Sequence, residues 1–210
     1  MIRKYHHIIS LGGNCRPAHH IKKNFPSSKQ FPFDSWLATL ESTVRFLEEP
    51  NVKKLYRPDL LELKVKDGVN ASVFNSYYNI YLHHEFPRDA GGVVSDFRNH
   101  IDIPRRRTRM RMNRMTSILP DAPVLFIKLQ STPDPKDAAT WDAGLKRLET
   151  VFTDRYGLRN FDILLINTPI TRNEGRIRSL EFPDVGEDWR GDIANWTAAL
   201  SQQAELLQFD

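Results

Sequence analysis

Cysteine is nearly absent: Cys15 is the one thiol in 210 residues. A disulfide framework within the chain is excluded, and the expectation is a reducing, cytoplasmic setting. Long apolar runs are missing too. No segment approaches the roughly 20 apolar residues of a membrane helix. The opening MIRKYHHIISLGG lacks the apolar core, about 7–15 residues long, of a secretory signal. Neither sign of charge dominates. Thirty basic residues against 26 acidic ones leave +4 with His neutral, which permits an anionic substrate and does not demand nucleic acid. No repeat, low-complexity tract or composition shift divides the chain. The expectation is one domain over residues 1–210, long enough to bury roughly 70% of its unfolded surface.

What is present is a set of apolar strands alternating with amphipathic helices. Tyr5 to Leu11, Pro123 to Leu129 and Phe161 to Ile166 read as buried strands. Helices are expected over Cys15–Lys23, over Trp36–Leu47, and from Pro104 to Leu119 with a stripe of Ile101, Thr108, Met112, Met115 and Leu119. Trp141, Leu145, Leu148 and Phe152 mark another, after a proline-bearing loop at 131–135, and Asp192 to Leu207 a last one. Leu61–Val65 and Ala71–Leu82 read as strands about an Asp67-Gly68 turn, and Arg176–Phe182 as an edge strand. The order predicts an α/β fold, a central, mostly parallel sheet flanked by helices in three layers. Such sheets bind ligands at the carboxyl ends of their strands.

Cys15 falls at the end of the first strand, in IISLGGNCRPAHH. Asn14 is a good N-cap and Pro17 suits a first turn. A thiol there faces unpaired backbone N–H groups and the positive end of the helix dipole, which favour thiolate. The N–H groups of Gly13, Asn14 and Arg16 are candidates for holding an oxyanion, and Gly12-Gly13 would admit a substrate close to the backbone. A free cysteine can equally be a small buried hydrophobe. A nucleotide loop is poorly matched: GGNCRP has no third glycine and no Lys-Ser/Thr pair. A GDSL-type serine esterase is not matched either, because no Asp-x-x-His stands near the C-terminus and every histidine lies at or before His100.

A thiol nucleophile needs an imidazole. His19 is one helical turn beyond Cys15. His83 and His84 stand at the end of an aromatic strand, where alternation would send them to opposite faces. Asp34, in FPFDSW, can orient a histidine or cap the following helix. In PRRRTRMRMNRM, Arg107, Arg111 and Arg114 share one helix face, able to grip an anion or to pair with acidic neighbours. No aromatic residues interleave with them, which weighs against nucleic acid. No metal-ligand spacing is complete, and no cofactor is expected.

Together, Ile9-Ser-Leu-Gly-Gly-Asn-Cys15, Phe33-Asp34-Ser-Trp36, His84-Glu-Phe86, the arginine run and Val124-Leu-Phe-Ile127 resemble the DUF1796 family. This is a bacterial group described as putative papain-like cysteine peptidases. The resemblance covers roughly the first 130 residues. It implies Cys15 as nucleophile and His84 as base. Ser35 stands between Asp34 and Trp36 where members typically read Phe-Asp-Trp. Papain-like folds set the cysteine on a central helix against an antiparallel sheet, whereas the strands near 125 and 164 favour an α/β layer fold.

The expected function is thiol-dependent acyl chemistry on a peptide or small-molecule substrate. Cys15 attacks, His84 moves the proton, Asp34 orients, and His83 with the arginine face contacts the substrate. Acyl transfer or ester cleavage in cell-surface polysaccharide assembly is an alternative. A non-enzymatic anion-, phosphate- or nucleic-acid-binding domain built on the arginine helix is another.

Overall fold

The computed structural model describes residues 2–131, 134–184 and 189–207. Residues 132–133 of the expected proline loop lie outside them. Along the chain run β1 (Arg3–Tyr5), β2 (His7–Ser10), α1 (Arg16–Asn24), β3 (Leu37–Ala38), α2 (Leu40–Glu48), α3 (Val52–Leu55), β4 (Leu61–Lys66), β5 (Val69–Asn75), β6 (Ile80–Leu82), β7 (Arg88–Asp89), β8 (Gly92–Val93), α4 (Asp102–Thr116), β9 (Val124–Leu129), α5 (Ala138–Thr150), β10 (Phe161–Ile166), β11 (Asn173–Glu174), β12 (Ile177–Leu180), α6 (Ile193–Gln203) and β13 (Ala204–Leu206).

The central sheet has the order β11-β12-β10-β9-β2. Its strands β2, β9, β10 and β12 are parallel, and β11 is an antiparallel edge. Every residue of β9 and β10 is buried, as strands covered on both faces require. Alternate side chains serve the two faces. Leu125, Ile127, Leu164 and Ile166 pack with Ile21, Trp196 and Leu200 of α1 and α6. Val124, Phe126, Ile163 and Leu165 pack with Met112 and Met115 of α4, Leu145 and Leu148 of α5, and Phe152. The Phe126 and Phe152 rings stack at 3.9 Å. The fold is thus α/β with helices on both sides of a mostly parallel sheet.

A second sheet was only half anticipated. The strands β3-β6-β5-β4 form an antiparallel meander beside the first sheet. Its β4–β5 hairpin turns on Asp67 and Gly68, both at positive φ (51° and 75°), the backbone of a tight two-residue hairpin.

Most departures from expectation trace to distant partners. The first strand breaks at His6, because the N–H groups of His6 and His7 both donate to the Pro123 carbonyl. This frees Arg3–Tyr5 to pair with Ala204–Leu206, so the last helix ends at Gln203 rather than Leu207. The helix expected from Trp36 starts at Leu40. Leu37 and Ala38 pair instead with Tyr81 and Ile80, and the extended Thr39 caps α2 by accepting the Ser42 N–H at 3.1 Å. The long strand at 71–82 breaks at a turn where Asn75 Oδ1 accepts the Tyr78 N–H and Asn79 sits at φ 57°. The strand at 177–180 is not the edge, since β11 folds back over it. Leu119 lies past the end of α4 and is exposed, and Ile118 is buried in its place.

Besides their shared core, the two sheets are joined through one carbonyl. The Ala38 carbonyl of β3 accepts the Gly13 N–H at 3.2 Å and the Lys128 Nζ at 2.7 Å. Gly13 has φ 102°, and a Cβ there would collide with the Leu129 carbonyl oxygen. Gly13→Ala should therefore cost about 3 kcal/mol, combining left-handed strain with overpacking. Gly68→Ala, at φ 75° in open space, should cost about 1 kcal/mol. Denaturant melts of the two variants check this, and equal losses would contradict the close approach.

Candidate active site

The β2 chain ends in buried Ser10 and Leu11 and turns through Gly12 and Gly13, at φ 78° and 102°. Gly13 is pressed on one side against the chain's own β9 at Leu129. Cys15, rather than Asn14, is the boundary residue of α1. Asn14 still does capping work, because its Oδ1 accepts the Arg16 N–H at 2.8 Å. The Arg16 N–H is thus taken by Asn14, which leaves Gly13, Asn14 and Arg16 without a shared open cradle. Cys15 is half-buried. Burial pushes its thiol pKa up, and the opposing pull of its own backbone N–H and of Arg16 is weaker. The expected thiolate is therefore not the resting form: desolvation outweighs what a nine-residue helix start supplies.

His83 and His84 lie in the turn after β6. They do not point to opposite faces, since their rings meet edge to face at 4.4 Å. Burial lowers both pKa values, His83 to about 4. No hydrogen bond joins either ring to Cys15 among the described residues. The charges felt by each also differ: Arg16 acts on Cys15, and Arg88 and Glu85 act on His84. His19 is the imidazole carried closest along the chain, and its N–H donates to the Cys15 carbonyl at 3.1 Å.

Asp34 does not cap α2, and its hydrogen-bond partner among the described residues is not a histidine but the backbone of Phe31. Its Oδ2 accepts the Phe31 N–H at 3.0 Å within the 3-10 turn Pro32–Ser35. Burial raises its carboxyl to about 7, against the pull of that bond and of Arg111 and Arg114. The arginine face is engaged internally by a residue the sequence left unremarked, the buried Glu85. Arg111 Nη1 lies 3.1 Å from Glu85 Oε1 and 3.2 Å from Ser35 Oγ. Arg107 donates to the Glu85 carbonyl at 2.7 Å, and Ser35 donates to Glu85 Oε1. Arg114 bonds the Gln30 carbonyl. A buried carboxylate demands such partners, so these guanidinium groups anchor the His84–Phe86 turn and the 30–35 loop to α4. Ser35, which interrupts the family-like Phe-Asp-Trp, is part of this lock.

A crevice of about 720 Å³ opens between the carboxyl edge of the central sheet and the meander. Gly13, Asn14 and Arg16 line one wall, Gln130 and Asn167 follow β9 and β10, and Leu37 and Tyr81 face them. Its place at the strand ends was expected. Gln130 and Asn167 were not singled out from the sequence; the signal that finds them is a polar amide at or just after the end of an apolar run.

Lys128 was the least expected member. It is fully buried on β9, with its Nζ on the Ala38 carbonyl and Asp134 nearby. Asp134 in turn accepts the Leu40 N–H at 2.7 Å and the Ser131 N–H at 2.7 Å. A lysine inside VLFIKL, in a strand covered on both faces, is the signal that finds it. Among the described residues, no cluster of His, Cys, Asp or Glu could hold a metal ion. No helix there is long and apolar enough to cross a membrane.

Residues 6–169 match the DUF1796 family, described as "Putative papain-like cysteine peptidase". That is well over half of the chain, and the chain belongs to this family. The description supports a cysteine hydrolase at that coarse level. No curated protein and no solved structure matches the chain.

Burial lowers the Lys128 pKa from 10.5 to about 8. Between those values the unfolded chain binds more protons than the folded one, so stability rises with pH. The gain is on the order of 3 kcal/mol across the whole window. Wild type should therefore gain on Lys128→Met as pH climbs from 8 to 10 in denaturant melts. Parallel curves for the two proteins would contradict it.

Proposed function

We propose that the chain is a thiol-dependent acyl hydrolase or transferase with Cys15 as nucleophile and a peptide or related amide as first-choice substrate. One observation carries this reading: the chain's one cysteine sits at the β2–α1 turn between Asn14 and Arg16, which with Gly13 line the crevice at the sheet's carboxyl edge.

In the proposed reaction Cys15 Sγ attacks the acyl carbon as its proton passes to an imidazole. The S–C bond forms, the leaving group departs with the proton, and water or another acceptor then cleaves the thioester. Because burial keeps the resting thiol protonated, deprotonation accompanies attack rather than preceding it. His84 is the proposed base, by the family resemblance. A second reading assigns His19, favoured by its place one turn along α1 from Cys15.

Treatment with 4-nitrophenyl acetate should leave an acetyl thioester on Cys15, detectable by intact mass and peptide mapping, and Cys15→Ser should abolish thioester and turnover. Replacing the true base by Ala should lower turnover roughly 10²-fold. A larger loss in His84→Ala than in His19→Ala supports the first assignment, and the reverse supports the second. Turnover that survives Cys15→Ser would overturn the whole reading.

A further inference from the structure

Arg111 and Arg114 of the arginine face are engaged by Glu85 and Gln30, and the crevice at the sheet edge holds a cation of its own. Arg16 is held by Asp184 and by the Trp189 carbonyl at 2.9 Å, which leaves it little net charge to offer. Lys136 also lines the crevice. It is exposed and forms no ion pair or hydrogen bond among the described residues. Asp184, the remaining charged lining residue among the described residues, is neutralised by Arg16.

The amides around it are biased toward donation. Asn14 Oδ1 is taken by the Arg16 N–H, and Asn167 Oδ1 by the Phe182 N–H at 3.0 Å. Fixing each oxygen leaves the Nδ2 hydrogens of both side chains without a protein partner among the described residues. Asn167 is further fixed at φ 52°, with its N–H on the Leu180 carbonyl. Leu37, Tyr81 and Leu129 give the same crevice apolar surface. A ligand that suits this lining has an apolar stretch, acceptor oxygens for the amides, and one negative charge for Lys136.

We infer that the crevice binds acyl compounds ending in a single anionic group, carboxylate or phosphate, with Lys136 as the specificity-determining cation and Asn14 and Asn167 as donors to the ligand's oxygens. The inference rests on the assignment of Cys15 as nucleophile for the claim that this ligand is the substrate. The binding itself does not depend on that assignment.

The test uses the full chain carrying Cys15→Ala, so that ligand is not consumed, and calorimetric titration with three probes. These are glutaryl anilide, its neutral methyl ester, and the anilide of 3-phosphonopropanoic acid. The acid should bind at least tenfold more tightly than the ester, and the preference should weaken as salt is raised. Lys136→Ala should erase the preference and Lys136→Arg should restore it. A tighter phosphonate assigns phosphate, and a tighter glutaryl anilide assigns carboxylate. Equal affinity for acid and ester, or a preference that survives Lys136→Ala, would overturn the inference. Charge-dependent binding without a Cys15 thioester in the wild type would sink the catalytic reading alone.

Discussion

The Ala38 carbonyl is where the architecture closes. It belongs to a two-residue strand of the meander, yet its two donors come from the central sheet: the Gly13 N–H from the loop after β2, and the Lys128 ammonium from β9. A buried ammonium is costly unless hydrogen-bonded, and so Lys128 gives this contact a directional demand that an aliphatic side chain would not. Through Gly13 the same contact sets the entry to α1, and with it the position of Cys15. Asp134 extends the junction by holding the start of α2 at the Leu40 N–H and the start of its own loop at the Ser131 N–H.

Cys15 shows how two generic effects compete. A helix start favours thiolate, and removal from water disfavours it. Here removal from water wins. In the proposed reaction the thiol therefore depends on a base to take its proton, and its neighbours Asn14 and Gly13 hold the loop through the Arg16 N–H and the Ala38 carbonyl. The positive φ of Gly13 also serves packing, because it lets β9 approach at Leu129.

The parallel sheet and its helices were legible because FDILLI and VLFIKL are apolar runs each interrupted by a single charged residue, and because α4 and α5 carry their buried residues at helical spacing. What misled were segments whose state is set by a partner far along the chain. Leu37-Ala38 has helix-compatible neighbours, but Tyr81 and Ile80 recruit it into a sheet. The arginine helix looks like an anion-binding face until Glu85, far away in sequence and buried, is seen to take Arg111 and Arg107. Of the site, the place of Cys15 at a strand end could be read directly. The engagement of Asp34 with Phe31, the contact between His83 and His84, and the lysine at the sheet junction could not, because each is a matter of which side chains meet.

The most direct test of the junction is native-state hydrogen exchange, followed residue by residue by NMR in wild type and Lys128→Met. If Lys128 holds the Gly13 loop to β3, the Gly13 amide is strongly protected in wild type and exchanges at least tenfold faster in the variant. The amides of Leu164 and Leu165 on β10 should keep their rates. Unchanged exchange at Gly13, or a uniform increase over all strands, would contradict the account.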